Sequence, residues 1–108
     1  QGYNVFQNIM QSRPDVDALF ACNDLMALGA VEAIASAGRT GEITVVGFDA
    51  LEDARTAIGE GRMDGTVAQY PSEMGREAVN CAVKMLGGET VAAEFPVKIE
   101  LITADNLE

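Results

Sequence analysis

The sequence predicts an α/β fold: an open, mostly parallel, doubly wound sheet with flanking helices. Three observations predict it. Short apolar, β-branched runs (ALFAC, ITVVGF, TVA) are separated by longer stretches with helical spacing. The stretch Ala18 to Val46 reads as one β-α-β unit, and two buried strands joined by a helix form a parallel pair with a right-handed crossover. Each strand-like run ends on a polar residue, as strands do where they approach a ligand-binding edge.

The elements follow in order. From Gly2 to Pro14, Val5, Phe6, Ile9 and Met10 share one helical face. Pro14 stops that helix, and Asp15 to Asp17 turns the chain into the strand Ala18 to Cys22, expected to be buried. Asn23 and Asp24 follow at once, and either can cap a helix by accepting from free backbone N–H groups. Leu25, Leu28, Val31 and Ile34 make the next helical stripe, widened by Met26, Ala30 and Ala33. Gly38 ends it where a left-handed residue is wanted. Ile43 to Phe48 is the second strand, and Asp49 to Asp53 a loop running into a helix with the short apolar face Ala54, Ala57 and Ile58. Gly59 and Gly61 close it, and Met63 to Gln69 is a third strand interrupted by Gly65. Pro71 breaks the pattern. Ser72 to Gly88 is a second strong helix, capped by Ser72, with Met74, Ala78, Cys81 or Ala82, and Met85 in period and Val79 and Leu86 beside them. Pro96 to Thr103 alternates, with Val97, Ile99 and Leu101 on one side and Lys98 and Glu100 on the other, as a half-exposed edge strand does.

Composition limits the function. A chain of 108 residues is one small domain or part of a larger one. Its 17 acidic residues against 7 basic ones give a net charge of −10, which disfavours phosphate backbones and anionic membrane surfaces. The same charge reads more simply as a solvated, self-repelling surface. No apolar run approaches the roughly 18 residues of a membrane span, and no signal peptide opens the chain. It starts at Gln1 without Met, as a mature product or a cut piece does. Cys22 and Cys81 lie outside any CxxC pair and are expected as two free, buried thiols rather than zinc ligands or a disulfide. Without histidine there is no Ser-His or Cys-His nucleophile pair and no His-ligated metal. There is no GxGxxG after a strand, no Gly-Lys-Ser/Thr phosphate loop and no serine at a nucleophile elbow. Asp24, Asp49, Glu52 and Asp53 cluster near strand ends, but no cation beside them sets up paired acid and base roles. The expectation is a binding protein, not an enzyme, with no cofactor and no metal.

Three polar residues stand at strand ends: Asn23, Asp49 and Gln69. Together they supply a carboxylate acceptor and two amides that both donate and accept. Vicinal hydroxyls each need a donor and an acceptor, so the set suits a sugar or another polyol better than an anion. Each residue also has a structural reading: Asn23 as a helix cap, Asp49 as a turn residue, Gln69 as an exposed strand end. Tyr70 has the face to stack on a sugar ring, or serves core or hinge packing. Asp24 reads as structural, turned back to backbone amides.

The motifs FACNDLMALGAVEAIASAGR, ITVVGFDALEDARTAIGEGRMDGTVAQYPSEMG and AVKMLGGETV resemble the ribose-binding-protein group of periplasmic sugar-binding proteins, the capture components of ABC sugar importers. The resemblance covers nearly the whole chain but only the C-terminal part of that family's length. It implies one side of a monosaccharide site between two α/β lobes, for a pentose or a hexose, with Asn23, Asp49 and Gln69 as sugar contacts. It implies that residues 1–69 and 97–103 belong to the C-terminal lobe. Residues 70–96 would then be a crossover whose helix 72–88 packs on the missing N-terminal lobe or on a second copy. The implied partners are the sugar and the importer's membrane components, with no nucleic acid and no membrane insertion. The implied location is the periplasm, or the outer face of a Gram-positive membrane as a lipoprotein. The alternative is the effector-binding domain of a lactose-repressor-family regulator. Against it, ALEDARTAIGEGRMDGTVAQYP lacks the Pro-rich stretch those regulators usually carry after the Gly-Phe-Asp motif. A sugar-sensing receptor domain of the same fold is a third option.

Overall fold

The computed structural model describes residues 1–107 and divides into two compact units. The first unit, Gln1–Ala68 with the segment from Glu100 onward, holds α1 (Gly2–Ser12), β1 (Ala18–Phe20), α2 (Asp24–Ser36), β2 (Thr44–Phe48), α3 (Glu52–Gly59), β3 (Gly65–Ala68) and β4 (Glu100–Thr103). The second, Gln69–Ile99, holds α4 (Pro71–Leu86).

The four strands of the first unit form one sheet in the order β1-β2-β3-β4. β1, β2 and β3 run parallel, and β4 is antiparallel to β3. The mostly parallel α/β sheet is therefore as the strand–helix alternation predicts. Its helix-side core is made of Phe6 and Met10 of α1, Ala27, Ala30, Val31, Ala33 and Ile34 of α2, Ala54, Ala57 and Ile58 of α3, and Val45 of β2. Small residues dominate the α2 and α3 faces, and Ala27, Ala54 and Ala57 are wholly buried. A helix with alanine on its inner face approaches its neighbours closely. α1 lies tightly on α2, where a Cβ on Gly29 would stand 2.7 Å from the backbone nitrogen of Tyr3. Gly38 stops α2 at φ +70°, with its N–H donating to Ala35 O, as expected of a left-handed stop.

Several sequence expectations need correcting. The first strand is not a buried one: it stands at the end of the sheet order, Phe20 is 60% exposed, and it stops at Phe20. The Cys22 thiol is consequently free but exposed, while Cys81 is free and half-buried. The α2 stripe begins one turn later than the periodicity suggests. Leu25 and Met26 face outward, and Asp24 takes the inward position. Val5 and Ile9 are exposed flanks of the Phe6–Met10 face. The second strand starts at Thr44, and the third occupies only Gly65–Ala68. Of the run Pro96 to Thr103, only Glu100–Thr103 pairs with β3 as a strand; it is at the sheet edge as expected, but its buried residue is Ile102, while Ile99 and Leu101 of the expected apolar side are exposed.

In the second unit α4 begins with Pro71 at its first position, where the missing N–H costs nothing, so Ser72 makes no side-chain cap. No residue of α4 is buried. Met74, Glu77, Ala78 and Cys81 line a shallow groove of about 320 Å³ with Phe95 and Val97. Val79, Val83 and Leu86 form a separate exposed apolar stripe. The Lys98 ammonium lies 5.8 Å from the centre of the Tyr70 ring, a cation–π distance.

Candidate functional site

The candidate residues of the first unit gather at the carboxyl ends of β1 and β2. The two strands are in register with Phe20 opposite Val46. Asn23 lies three positions beyond Phe20, and Asp49 three positions beyond Val46, so both leave the sheet at the same end. Asn23 is half-buried and Asp49 exposed. Gln69, directly after Ala68 of β3, is half-buried and is the first residue of the second unit.

Asn23 is the N-cap of α2. Its Oδ1 accepts from the Met26 N–H at 2.9 Å. That bond uses the oxygen and leaves the Nδ2 amide outside the cap, so capping and a donor role toward a ligand are compatible.

Asp49 stands in a turn of unusual backbone. Its φ is 108° and that of Ala50 is 55°, both in the region that glycine prefers. For an L-residue such as alanine this conformation costs about 1–2 kcal/mol. Every amide of the turn is held. Asp49 N–H donates to Val67 O at 2.9 Å, Ala50 N–H to Thr66 Oγ1 at 3.2 Å, and Leu51 N–H to Asp24 Oδ2 at 2.7 Å. Ala50 O accepts from Arg55 Nε at 3.1 Å. Thr66 Oγ1 in turn donates to Asp24 Oδ1 at 2.7 Å.

Asp24 and Thr66 are both fully buried. Asp24 was expected to turn back to amides, and it does, but to an amide 27 residues downstream rather than in its own helix. Its place in the first turn of α2 also puts the carboxylate at the favourable end of the helix dipole. Thr66 was not singled out by sequence reasoning, since threonine in a strand is ordinary. Gly47 was not either: a Cβ there would collide with Asp24 Oδ1, Met63 Cε and Ala27 Cβ. The Gly of the Gly-Phe-Asp motif makes room for the Asp of the Asn-Asp motif.

A concavity of about 340 Å³ in the first unit lies elsewhere. Gln7, Met10, Pro14, Ser36 and Arg39 line it at the other end of α2 from Asn23. There, on the surface turn, the Arg13 guanidinium holds the Asp15 carboxyl below the usual carboxylate range. Among the described residues no group of three or more His, Cys, Asp or Glu is arranged to hold a metal ion, and no helix is long and apolar enough to cross a membrane.

Residues 1–90 match the family described as periplasmic binding protein domain. The chain belongs to that family. It is 44% identical over 102 residues to the ribose import binding protein RbsB of Escherichia coli (strain K12), an alignment covering 94% of this chain and 34% of that relative. The chain thus spans about a third of the relative's length. Among solved structures it is similar to the Caulobacter myo-inositol binding protein bound to myo-inositol, at 37% identity and a TM-score of 0.85, covering 98% of this chain and 37% of that one. It is also similar to an ABC transporter periplasmic solute binding protein from Actinobacillus succinogenes with bound D-allose, at 30% identity and a TM-score of 0.88, covering 97% and 37%. The resemblance to the ribose-binding group of sugar-binding proteins, drawn from the motifs, is thereby shown for nearly the whole chain.

Proposed function

We propose that this chain forms one side of a monosaccharide site in a periplasmic solute-binding protein that serves an ABC sugar importer. The observation that carries the reading is the matched departure of Asn23 and Asp49 from registered positions on two adjacent parallel strands. A polyol hydroxyl needs one donor and one acceptor. The Asp49 carboxylate accepts from sugar hydroxyls, and the Asn23 Nδ2 amide donates to them while its oxygen stays in the helix cap. Gln69, the residue after β3, is the third contact of the proposal. The ligands named for the similar proteins, ribose, D-allose and myo-inositol, are all compact polyols. The role is capture and release, without catalysis.

In this reading residues 1–69 and 97–103 belong to one lobe, and residues 70–96 cross to the rest of a two-lobe protein. Binding closes the lobes on a hinge, and the closed form is what the membrane components recognise. The Val79–Val83–Leu86 stripe of α4 is the face that the rest of such a protein covers. The location proposed is the periplasm, or the outer face of a Gram-positive membrane as a lipoprotein.

An amide NMR titration of the chain with D-ribose, D-allose and myo-inositol at millimolar concentration tests the reading. Joint movement of the Asn23, Asp49 and Gln69 signals with one sugar supports it. A dispersed spectrum that stays unchanged with all three overturns it for this chain.

A further inference from the structure

We infer that Asp24 and Thr66 are positioning residues whose buried hydrogen-bond chain imposes the left-handed turn that presents Asp49. The inference rests on the reading of Asp49 as a sugar contact. The chain runs Ala50 N–H to Thr66 Oγ1, Thr66 O–H to Asp24 Oδ1, and Leu51 N–H to Asp24 Oδ2. It joins α2, β3 and the turn after β2, and its two side chains, Asp24 and Thr66, are entirely shielded from water.

Four features point to positioning rather than to general stabilisation. First, the backbone held is one that alanine and aspartate avoid, at φ 55° and 108°. A turn in such a conformation persists only where its surroundings over-determine it, and such turns gather at functional sites. Second, both oxygens of a buried carboxylate are engaged in this network, Oδ1 by the Thr66 hydroxyl that holds Ala50 and Oδ2 by the Leu51 amide of the turn. A buried carboxylate is a costly way to tie down a loop for stability alone. Third, Gly47 clears the space that the Asp24 carboxylate occupies. Fourth, the bonds fall on Ala50 and Leu51, the two residues after Asp49, while the Asp49 amide itself is fixed to Val67 O. The direction in which the Asp49 side chain leaves the sheet is set by these bonds, because φ 108° swings its Cα–Cβ bond away from the course an extended residue would take.

The decisive variants are Thr66→Val, which keeps the shape and removes the hydroxyl, and Thr66→Ser, which restores it. The first readout is independent of any sugar: the sign of φ at Asp49 and Ala50, from intraresidue HN–Hα cross-peaks and residual dipolar couplings in the 108-residue chain. Thr66→Val is expected to lose the positive φ at Ala50 while the rest of the spectrum keeps its dispersion, and Thr66→Ser to retain it. The second readout is the D-ribose titration. Thr66→Val is expected to weaken binding by about tenfold, the scale of one unmade hydrogen bond, with Thr66→Ser close to the parent. Should Thr66→Val unfold the chain, the double variant Thr66→Val/Ala50→Gly replaces it, because glycine adopts positive φ at Ala50 without the strain that the hydroxyl offsets. The double variant is then expected to regain a dispersed spectrum and D-ribose binding, and one that stays unfolded overturns the inference by making Thr66 a residue of general stability. A turn that keeps positive φ in Thr66→Val, or sugar binding unchanged when the turn is lost, overturns the inference. Failure of the underlying reading looks different: Asp49→Ala, with the turn intact, leaves the D-ribose titration unchanged.

Discussion

Asp49 carries a charge and Gln69 does not, and that difference ranks them. A hydrogen bond to a charged group is worth about 1.5–3 kcal/mol, and one between neutral groups about 1 kcal/mol. Asp49→Ala is therefore expected to reduce sugar affinity more than Gln69→Ala, as measured by calorimetry on the protein carrying this chain. Equal or reversed losses would remove Asp49 from its proposed place. Asn23 and Asp49 were legible as candidates because a polar residue after an apolar run is a local signal. Thr66 was not legible, since its importance lies in a partner 42 residues away. Gly47 was invisible for the same reason: what excludes a side chain there is Asp24, brought in by tertiary packing.

Two helix glycines look alike in sequence and differ in structure. Gly29 in α2 faces the backbone of Gly2 and Tyr3 at contact distance, whereas Gly75 in α4 has nothing within 4 Å of the Cβ position. Gly75→Ala is expected to stabilise α4 by about 0.5–1 kcal/mol, the usual gain of alanine over glycine inside a helix. Gly29→Ala is expected to destabilise the first unit by about 1–3 kcal/mol, because α1 must move to admit the methyl group. Urea midpoints of the two variants test the pair, and the same sign for both would contradict the packing described. Helices were the most legible elements, since α2 and α4 repeat their apolar positions over three turns or more. The first strand was misread because burial depends on which strand ends the sheet, and apolarity alone does not encode that order. The last strand was over-extended for a related reason: alternation runs from Val97, but ladder partners on β3 exist only opposite Glu100–Thr103.

Across the molecule, protection from solvent is uneven. The first unit encloses a continuous apolar core, and α4 in the second has no buried residue. Helices with few buried contacts open at low free energy. The amides of α4 are therefore expected to exchange with deuterium well before those of α2, and comparable protection for the two helices would mean that α4 has found a cover in solution. The division into a core-bearing unit and an unburied one was legible only in part. Periodicity marks an apolar stripe, but the presence of something to pack against it is a long-range fact.

The sheet of the first unit has an end strand, β1, only three residues long, with Phe20 laid open to water. A bare strand edge is a template on which another chain can add itself, the first step of many insoluble assemblies. Here the template is brief, and Asp15 and Asp17 stand directly before it. Asp15 is paired with Arg13 at 3.2 Å, so Asp17 is the carboxylate whose charge meets an approaching copy of the same edge. The brevity of β1 and the charge beside it, rather than the core, would then govern how concentrated a solution stays clear.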